Sequence, residues 1–220
     1  MTVLIYSVAT FHLFPLVVFL ILRKRLKGNV IFYFILALVI SSFLSDLIGL
    51  WFSSLGFNTN PVSNAYQITE RLLATLIVVS VSAFSNISNK IILAVSGIIS
   101  ICQVLYGIPD NFLIQNDYIK LLSGIFICLL SLYAQFILLS NLTVNGARID
   151  IKVWPVFAIF FYASSMLIPQ MITNIDDSVE FPNFFQHTRL GVAIGSNIIR
   201  DSLFAYFFFQ AKQMNYDTGK

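Results

Sequence analysis

The sequence predicts an all-α polytopic membrane bundle that crosses the bilayer about seven times, with its N-terminus outside and its C-terminus in the cytoplasm. Three observations predict it. Of 220 residues, 58% are hydrophobic and only 10% charged, and the mean hydropathy of +0.85 is far from the balance of a soluble domain. The charges are confined to short stretches between apolar runs of about 20 residues, the length a helix needs to cross a hydrocarbon core of roughly 30 Å. The cations of those stretches fall almost entirely on alternate connections.

Taken in order, spans are predicted near residues 3–22, 30–52, 65–86, 90–108, 119–141, 153–174 and 187–211, all within one transmembrane domain covering 1–220. The first apolar run carries Arg23, Lys24, Arg25 and Lys27 after it rather than before it, so it reads as an anchor whose N-terminus crosses, not as a cleavable signal peptide. The third opens on Tyr66, Gln67, Glu70 and Arg71 and is continuously apolar only from Leu72. Pro15 and Pro169 fall inside spans and are expected to bend them, because each removes a backbone hydrogen bond.

In this topology the cytoplasmic segments hold Arg23, Lys24, Arg25, Lys27, Lys90, Arg148, Lys152, Lys212 and Lys220 against Asp150 and Asp217. The outer segments hold Asp110, Asp117, Asp176, Asp177 and Glu180 against Lys120. That asymmetry is the positive-inside pattern, and the inverted orientation violates it at every loop. Trp51 and Trp154 fall at span ends, where indole rings settle at the headgroups.

The segments between spans are about a dozen residues at most, too short for an independent core, so the chain has no room for a soluble catalytic or nucleic-acid-binding domain. Cys102 and Cys128 lie in apolar runs and read as small hydrophobes rather than redox groups. The sequons at Asn86-Ile87-Ser88 and Asn141-Leu142-Thr143 face the cytoplasm in this topology and are chance matches.

Charges within the spans carry the functional signal, since each costs at least about 2.5–3.5 kcal/mol at the bilayer centre unless it finds a partner, water or the interface. They are Asp46, Glu70, Arg71, Arg189, Arg200 and Asp201, with His12 the one ionisable group of the first span. At 100° per residue, Ser41, Ser42, Ser45, Asp46 and Gly49 share one side of the second span. Tyr66, Gln67, Glu70, Arg71 and Ala74 share one side of the third, and Arg189, Ala193, Ser196, Asn197, Arg200 and Asp201 one side of the seventh. Three polar stripes turned inward predict a hydrated or hydrogen-bonded interior.

Depth divides these residues into two tiers. Asp46, Glu70, Arg71 and Arg189 are expected within about 10 Å of the outer surface, with Asp46 and Glu70 paired to Arg71 or Arg189. His12, Arg200 and Asp201 are expected near the midplane, with Asp201 supported by Asn197 and His12. Adjacent residues project about 100° apart, so Arg200 and Asp201 are expected to find partners on another helix rather than each other. Gly191 and Gly195 form a GxxxG pattern opposite the polar stripe of the seventh span, suited to close packing on a neighbouring helix or to a homodimer seam.

The stretch Ser45-Asp46-Leu47-Ile48-Gly49-Leu50-Trp51, followed by Asn58, Asn60, Tyr66 and Glu70, resembles a group of small uncharacterised seven-helix integral membrane proteins of bacteroidete bacteria. The closing segment Asn197-Ile198-Ile199-Arg200-Asp201-Ser202-Leu203-Phe204-Ala205 is similar too. The chain departs from such proteins at Asn64 and Ala65, where a His often stands. The resemblance implies a multi-pass protein of the bacterial cytoplasmic membrane with inward-facing acids, and it implies no mechanism.

Other seven-helix classes fit poorly. A retinal protein needs a lysine near the middle of its last helix, whereas Lys212 lies at the end. Pro169-Gln170 occurs once and in the sixth span, unlike the repeated pair of PQ-loop transporters. Ceramidase-type and progestin-receptor-type hydrolases hold a metal through several His, and this chain has only His12 and His187. No Walker, zincin, CxxC or GxGxxG motif is present, so no cofactor, metal or catalytic residue is assigned.

The leading expectation is therefore a non-enzymatic receptor-like or sensor-like module binding a small molecule or lipid in an outward-facing polar pocket, acting through a signalling partner or homodimer. A proton- or ion-coupled transporter using His12, Arg200 and Asp201 is the alternative. An intramembrane lipid enzyme with Asp46 as base beside Ser42 or Ser45 is the third. The partners expected are membrane lipids and such a ligand, and no nucleic acid.

Overall fold

A computed structural model of the chain describes residues 11–24, 26, 30–82, 84–109, 117–145, 151–175 and 183–217. These form helices α1 (Leu13–Leu22), α2 (Val30–Ser54), α3 (Asn60–Val81), α4 (Asn86–Gly107), α5 (Asp117–Asn145), α6 (Val153–Ile175) and α7 (Asn183–Asp217). No strand occurs among the described residues. Three segments, Val30–Ser54, Asn86–Gly107 and Tyr118–Ser140, are long and apolar enough to cross a membrane, and Leu13–Leu22 and Val153–Leu167 are shorter apolar helices. The start of the first predicted span, most of the acidic loop residues, and the side chains of Pro169, His187, Arg189 and Lys212 lie outside the described residues.

Local chemistry sets the helix ends. At the end of α2, Gly56 adopts φ 73°, a conformation that costs glycine little. Gly56 N–H then bonds the Ser53 carbonyl at 3.1 Å, and Phe57 N–H reaches the Phe52 carbonyl at 2.9 Å. The Phe52 and Phe57 rings pack at 6.1 Å over this closure, which is a Schellman stop with its usual apolar contact. Helix α3 begins at Asn60, earlier than the apolar pattern predicts, because Pro61 suits a first helical turn where its missing N–H costs nothing. It ends at Val81 rather than near 86, where Ser82 turns extended. Ser85 then caps α4 by accepting from the Ser88 N–H at 3.1 Å.

Helix α3, the one with the fewest apolar residues in its first half, is the most central: it packs against α2, α4, α5 and α6. Helix α7 packs against α6, α1 and α2 and completes the bundle. Neighbours in sequence run antiparallel. His12, just before α1, meets Asp46 well along α2, whereas Phe19 meets Tyr33 near the start of α2 with ring centroids at 6.3 Å. Gln67 meets Gln103 and Thr75 meets Ser96 in the same opposed sense between α3 and α4.

This arrangement divides the bundle along its length. The half beyond Leu38 of α2 and Ala74 of α3 is mainly apolar, and includes Ile35, Ile77, Val78, Ala134, Val156, Phe204 and Phe208, all of them buried, with the hydroxyls of Ser82 and Ser131 buried beside them. Phe208 sits at its centre with Phe19 at 5.5 Å and Phe32 at 5.9 Å between centroids. The opposite half, where α3 and α5 begin, collects the buried charged groups Arg71, Arg200 and Asp201 and the buried His12. The outside of α4 is lined by Ile87, Ile91, Ile98, Ile101 and Leu105, each 59% exposed or more, a continuous apolar surface that water would disfavour. Gly191 and Gly195 depart from one expectation: among the described residues nothing lies within 4 Å of a Cβ added at either, so their small size meets no close neighbour there.

The packing difference predicts that Phe208→Ala, at a fully buried ring, costs about 3–5 kcal/mol. Phe209→Ala, at a neighbour 48% exposed, should cost less than about 1 kcal/mol. Thermal unfolding in detergent reads both, and equal losses would contradict the placement of the core.

Candidate functional site

The predicted stripes do converge, but with different pairings. Arg200 and Asp201 of α7 are 1% and 0% exposed, and Arg200 Nε donates to Asp201 Oδ1 at 3.0 Å. Neighbouring side chains thus do bond each other, contrary to the expectation from their 100° separation. The long arginine stem folds back across that angle and leaves its two Nη atoms free for other helices. Nη1 reaches Glu70 Oε1 on α3 at 3.4 Å, and Nη2 reaches Ser42 Oγ on α2 at 3.2 Å. The guanidinium carbon lies 4.6 Å from the centre of the Tyr162 ring of α6, a cation–π contact.

Tyr66 closes this part of the network. Its hydroxyl donates to Glu70 Oε1 at 2.8 Å and lies 2.7 Å from Ser42 Oγ. On the other side, Asp201 Oδ2 is hydrogen-bonded to His12 Nδ1, as the sequence anticipates. His12 Nε2 lies 3.2 Å from Asp46 Oδ2, so the imidazole spans two carboxylates. Asp46 is 36% exposed at its side chain while Asp201 is sealed, so the three groups lead from accessible to inaccessible surroundings. The expected division into two tiers is replaced by one network. Its acids are answered by His12 and Arg200 rather than by Arg71, because α7 brings Arg200 across to α3.

Asn197 departs from expectation as well. Its amide donates to the Ala193 carbonyl at 3.0 Å, within its own helix, and it makes no described bond to Asp201. The Asp46–serine base pairing of a lipid enzyme is not formed: the Ser42 hydroxyl is held by Tyr66, Arg200 and the Leu38 carbonyl, and Asp46 is held by His12. Arg189 lies on α7, and its side chain is outside the described residues.

Arg71 stands apart. It is 2% exposed, donates from Nη1 to Ser123 Oγ of α5 and from Nη2 to Ser100 Oγ of α4 at 3.0 Å, and leaves Nε without a partner. Thr75, Ser96 and Ser100 continue its hydroxyl shell: Thr75 Oγ1 bonds the Arg71 carbonyl at 2.8 Å and lies 3.1 Å from Ser96 Oγ. Ser96, Ser100 and Gln103 recur at four- and three-residue spacing within an apolar run. They form a polar stripe on α4 that the inspection of charged residues alone passes over. Tyr162 lies in the run Phe160-Phe161-Tyr162 and carries no such signal.

Between the two arginines lies a cavity of about 210 Å³. Glu70, Arg71, Tyr66, Gln67 and Ser63 of α3 line it, with Lys120 and Ser123 of α5, Tyr162 and Met166 of α6, and Arg200 of α7. It occupies the polar half of the bundle. Among the described residues no group of three or more His, Cys, Asp or Glu is arranged to hold a metal. The fold and site together define an all-α bundle with an apolar exterior and a buried charged network beside a cavity. No protein-family model, curated protein or solved structure matches the chain.

The network predicts strong coupling. Arg200→Met leaves Asp201 buried without its guanidinium and should cost about 3–5 kcal/mol, whereas Arg200→Met combined with Asp201→Leu should recover part of that loss. Unfolding of both variants in detergent measures the difference. Strictly additive losses would mean that the two side chains do not interact.

Proposed function

We propose that the chain is a seven-span protein of the bacterial cytoplasmic membrane, N-terminus outside, that binds a small ligand in an outward-facing pocket as a receptor-like or sensor-like, non-enzymatic module. The observation that carries this reading is the cavity of about 210 Å³ between α3, α5, α6 and α7, bordered by Arg71 and Arg200. In the topology favoured by the positive-inside pattern, the starts of α3, α5 and α7 face outward, so the polar half and its cavity open to the exterior. Buried charges in a membrane bundle are expensive and mark ligand or ion sites. Signalling from such a pocket requires a partner protein or a second copy of the chain.

One observation favours a second reading, a proton-coupled transporter. His12 joins the accessible Asp46 to the sealed Asp201, and Asp201 holds Arg200 at the cavity wall, so a proton gained or lost here changes the charge beside the ligand. The aromatic block of Phe19, Phe32, Phe207 and Phe208 fills the opposite half and must part for any passage. A module that only senses has no such requirement.

Three experiments test the orientation, the pocket and the choice between the two readings. In cells, single cysteines at Asn60, Asn111 and Ser178 should react with an impermeant thiol reagent, and cysteines at Gly28 and Gly146 should not; labelling at Gly28 would reject the orientation. In nanodiscs, native mass spectra should show a small molecule retained by the protein and absent from Gly124→Phe, which fills the cavity. Equal retention by both, or by neither, counts against the pocket. Uptake of that molecule into proteoliposomes only under a pH gradient would select the transporter.

A further inference from the structure

We infer that the cavity is an organic-anion site in which Arg71 supplies the counter-charge for a carboxylate or phosphate group; this rests on the cavity being the ligand site proposed above. The charge of Arg71, bonded to no carboxylate among the described residues, carries the inference. Glu70, its neighbour in sequence, turns to Arg200 and Tyr66. Arg71 forms no salt bridge to a carboxylate among the described residues, and its bonded partners are the neutral hydroxyls of Ser100 and Ser123. These take two of the five N–H donors a guanidinium carries, and Nε is buried without a partner.

A buried guanidinium whose bonded partners are neutral hydroxyls, with the Glu70 carboxylate acting on it only through space, is costly, and the cost is relieved when an anion joins it directly. The place for that anion is adjacent. Arg71 lines the cavity with Arg200 and Lys120, so three cationic side chains border it against Glu70, the one carboxylate in its described lining. Arg200 is ion-paired to Asp201 and Glu70, and Lys120 makes contacts of its own, whereas Arg71 is bonded to hydroxyls. Guanidinium forks fit carboxylate and phosphate groups in particular.

The remaining wall fixes the rest of the ligand. Leu38, Ile127, Ile159 and Met166 present hydrocarbon to the cavity. A volume of about 210 Å³ equals roughly seven waters at about 30 Å³ each. It suits a small anion with a short apolar body, arriving free or as the headgroup end of a lipid.

Thermal unfolding of the full chain in phosphatidylcholine nanodiscs provides the test, with hexanoate, hexyl phosphate and hexylammonium as probes. Either anion should raise Tm by about 3 °C or more at saturation, and hexylammonium should not. Arg71→Gln should abolish the anion effect while leaving the unliganded Tm at or above that of the parent, because it removes a buried charge bonded to no carboxylate among the described residues. Arg71→Lys should keep part of the effect, and Gly124→Phe should remove it by filling the cavity. Repeating the titration in phosphatidylglycerol nanodiscs separates the sources: a persisting shift identifies a free anion, and a shift already present without probe identifies the lipid headgroup.

An anion effect that survives Arg71→Gln overturns the inference. So does a shift with hexylammonium equal to that with the anions; if Gly124→Phe abolishes both, the pocket stands and only its charge preference falls. No shift with any probe in either lipid, together with unchanged behaviour of Gly124→Phe, removes the pocket along with the anion.

Discussion

The arrangement of the polar half depends on one constraint: Arg200 and Asp201 are buried side by side in α7 and must be answered by groups from other helices. Their own bond neutralises charge but leaves donors and acceptors to satisfy, and a bond missing in so dry a place costs more than one gained at the surface. His12 supplies the Asp201 side, and Ser42, Glu70 and Tyr162 supply the Arg200 side, so one pair of residues fixes the relative positions of α7, α1, α2, α3 and α6. Pro15 cannot donate to the Phe11 carbonyl, so the turn that carries His12, whose backbone stays right-handed α (φ −60°, ψ −22°), lacks that one helical hydrogen bond.

A bundle tied this way can leave space elsewhere. In the half that holds Phe208, apolar side chains interdigitate and no charged group is buried among the described residues; in the other half, directional bonds between long side chains hold α3, α5, α6 and α7 around a cavity. Specific hydrogen bonds keep that space open where apolar contacts would close it. Arg71, buried with Nε lacking a hydrogen-bond partner among the described residues, is a local departure from full satisfaction, and such departures concentrate where a protein binds something.

Much of this architecture was legible from the sequence because periodicity and charge cost are strong signals inside a membrane-like composition. The stripe Ser42–Asp46, Tyr66 with Glu70, and the pair Arg200–Asp201 had to face inward, and they share one network with His12, beside which Arg71 makes its own bonds. Which acid met which base was not legible, since a stem of several bonds lets Arg200 reach Glu70, Ser42 and Asp201 at once. The serines around Arg71 and the ring of Tyr162 were missed because neutral hydroxyls and aromatics carry little cost in a hydropathy pattern. The early start of α3 followed from Pro61 and the sharp stop of α2 from Gly56, local signals that an apolar-run reading passes over. Gly191 and Gly195 show the reverse, a motif present without close packing against the described residues.

The proposal that the polar half faces outward, with its cavity reached by water while the Phe208 half is sealed, is tested most directly by a cysteine scan along α3. In a background with Cys102 and Cys128 replaced, single cysteines at Ser63, Gln67, Ile77 and Val81 would be exposed in intact cells to a small impermeant thiol reagent. Rapid modification at Ser63 and Gln67 with protection at Ile77 and Val81 is the predicted result. Modification at Val81 from outside, or protection of Ser63 and Gln67 in a folded protein, would contradict it.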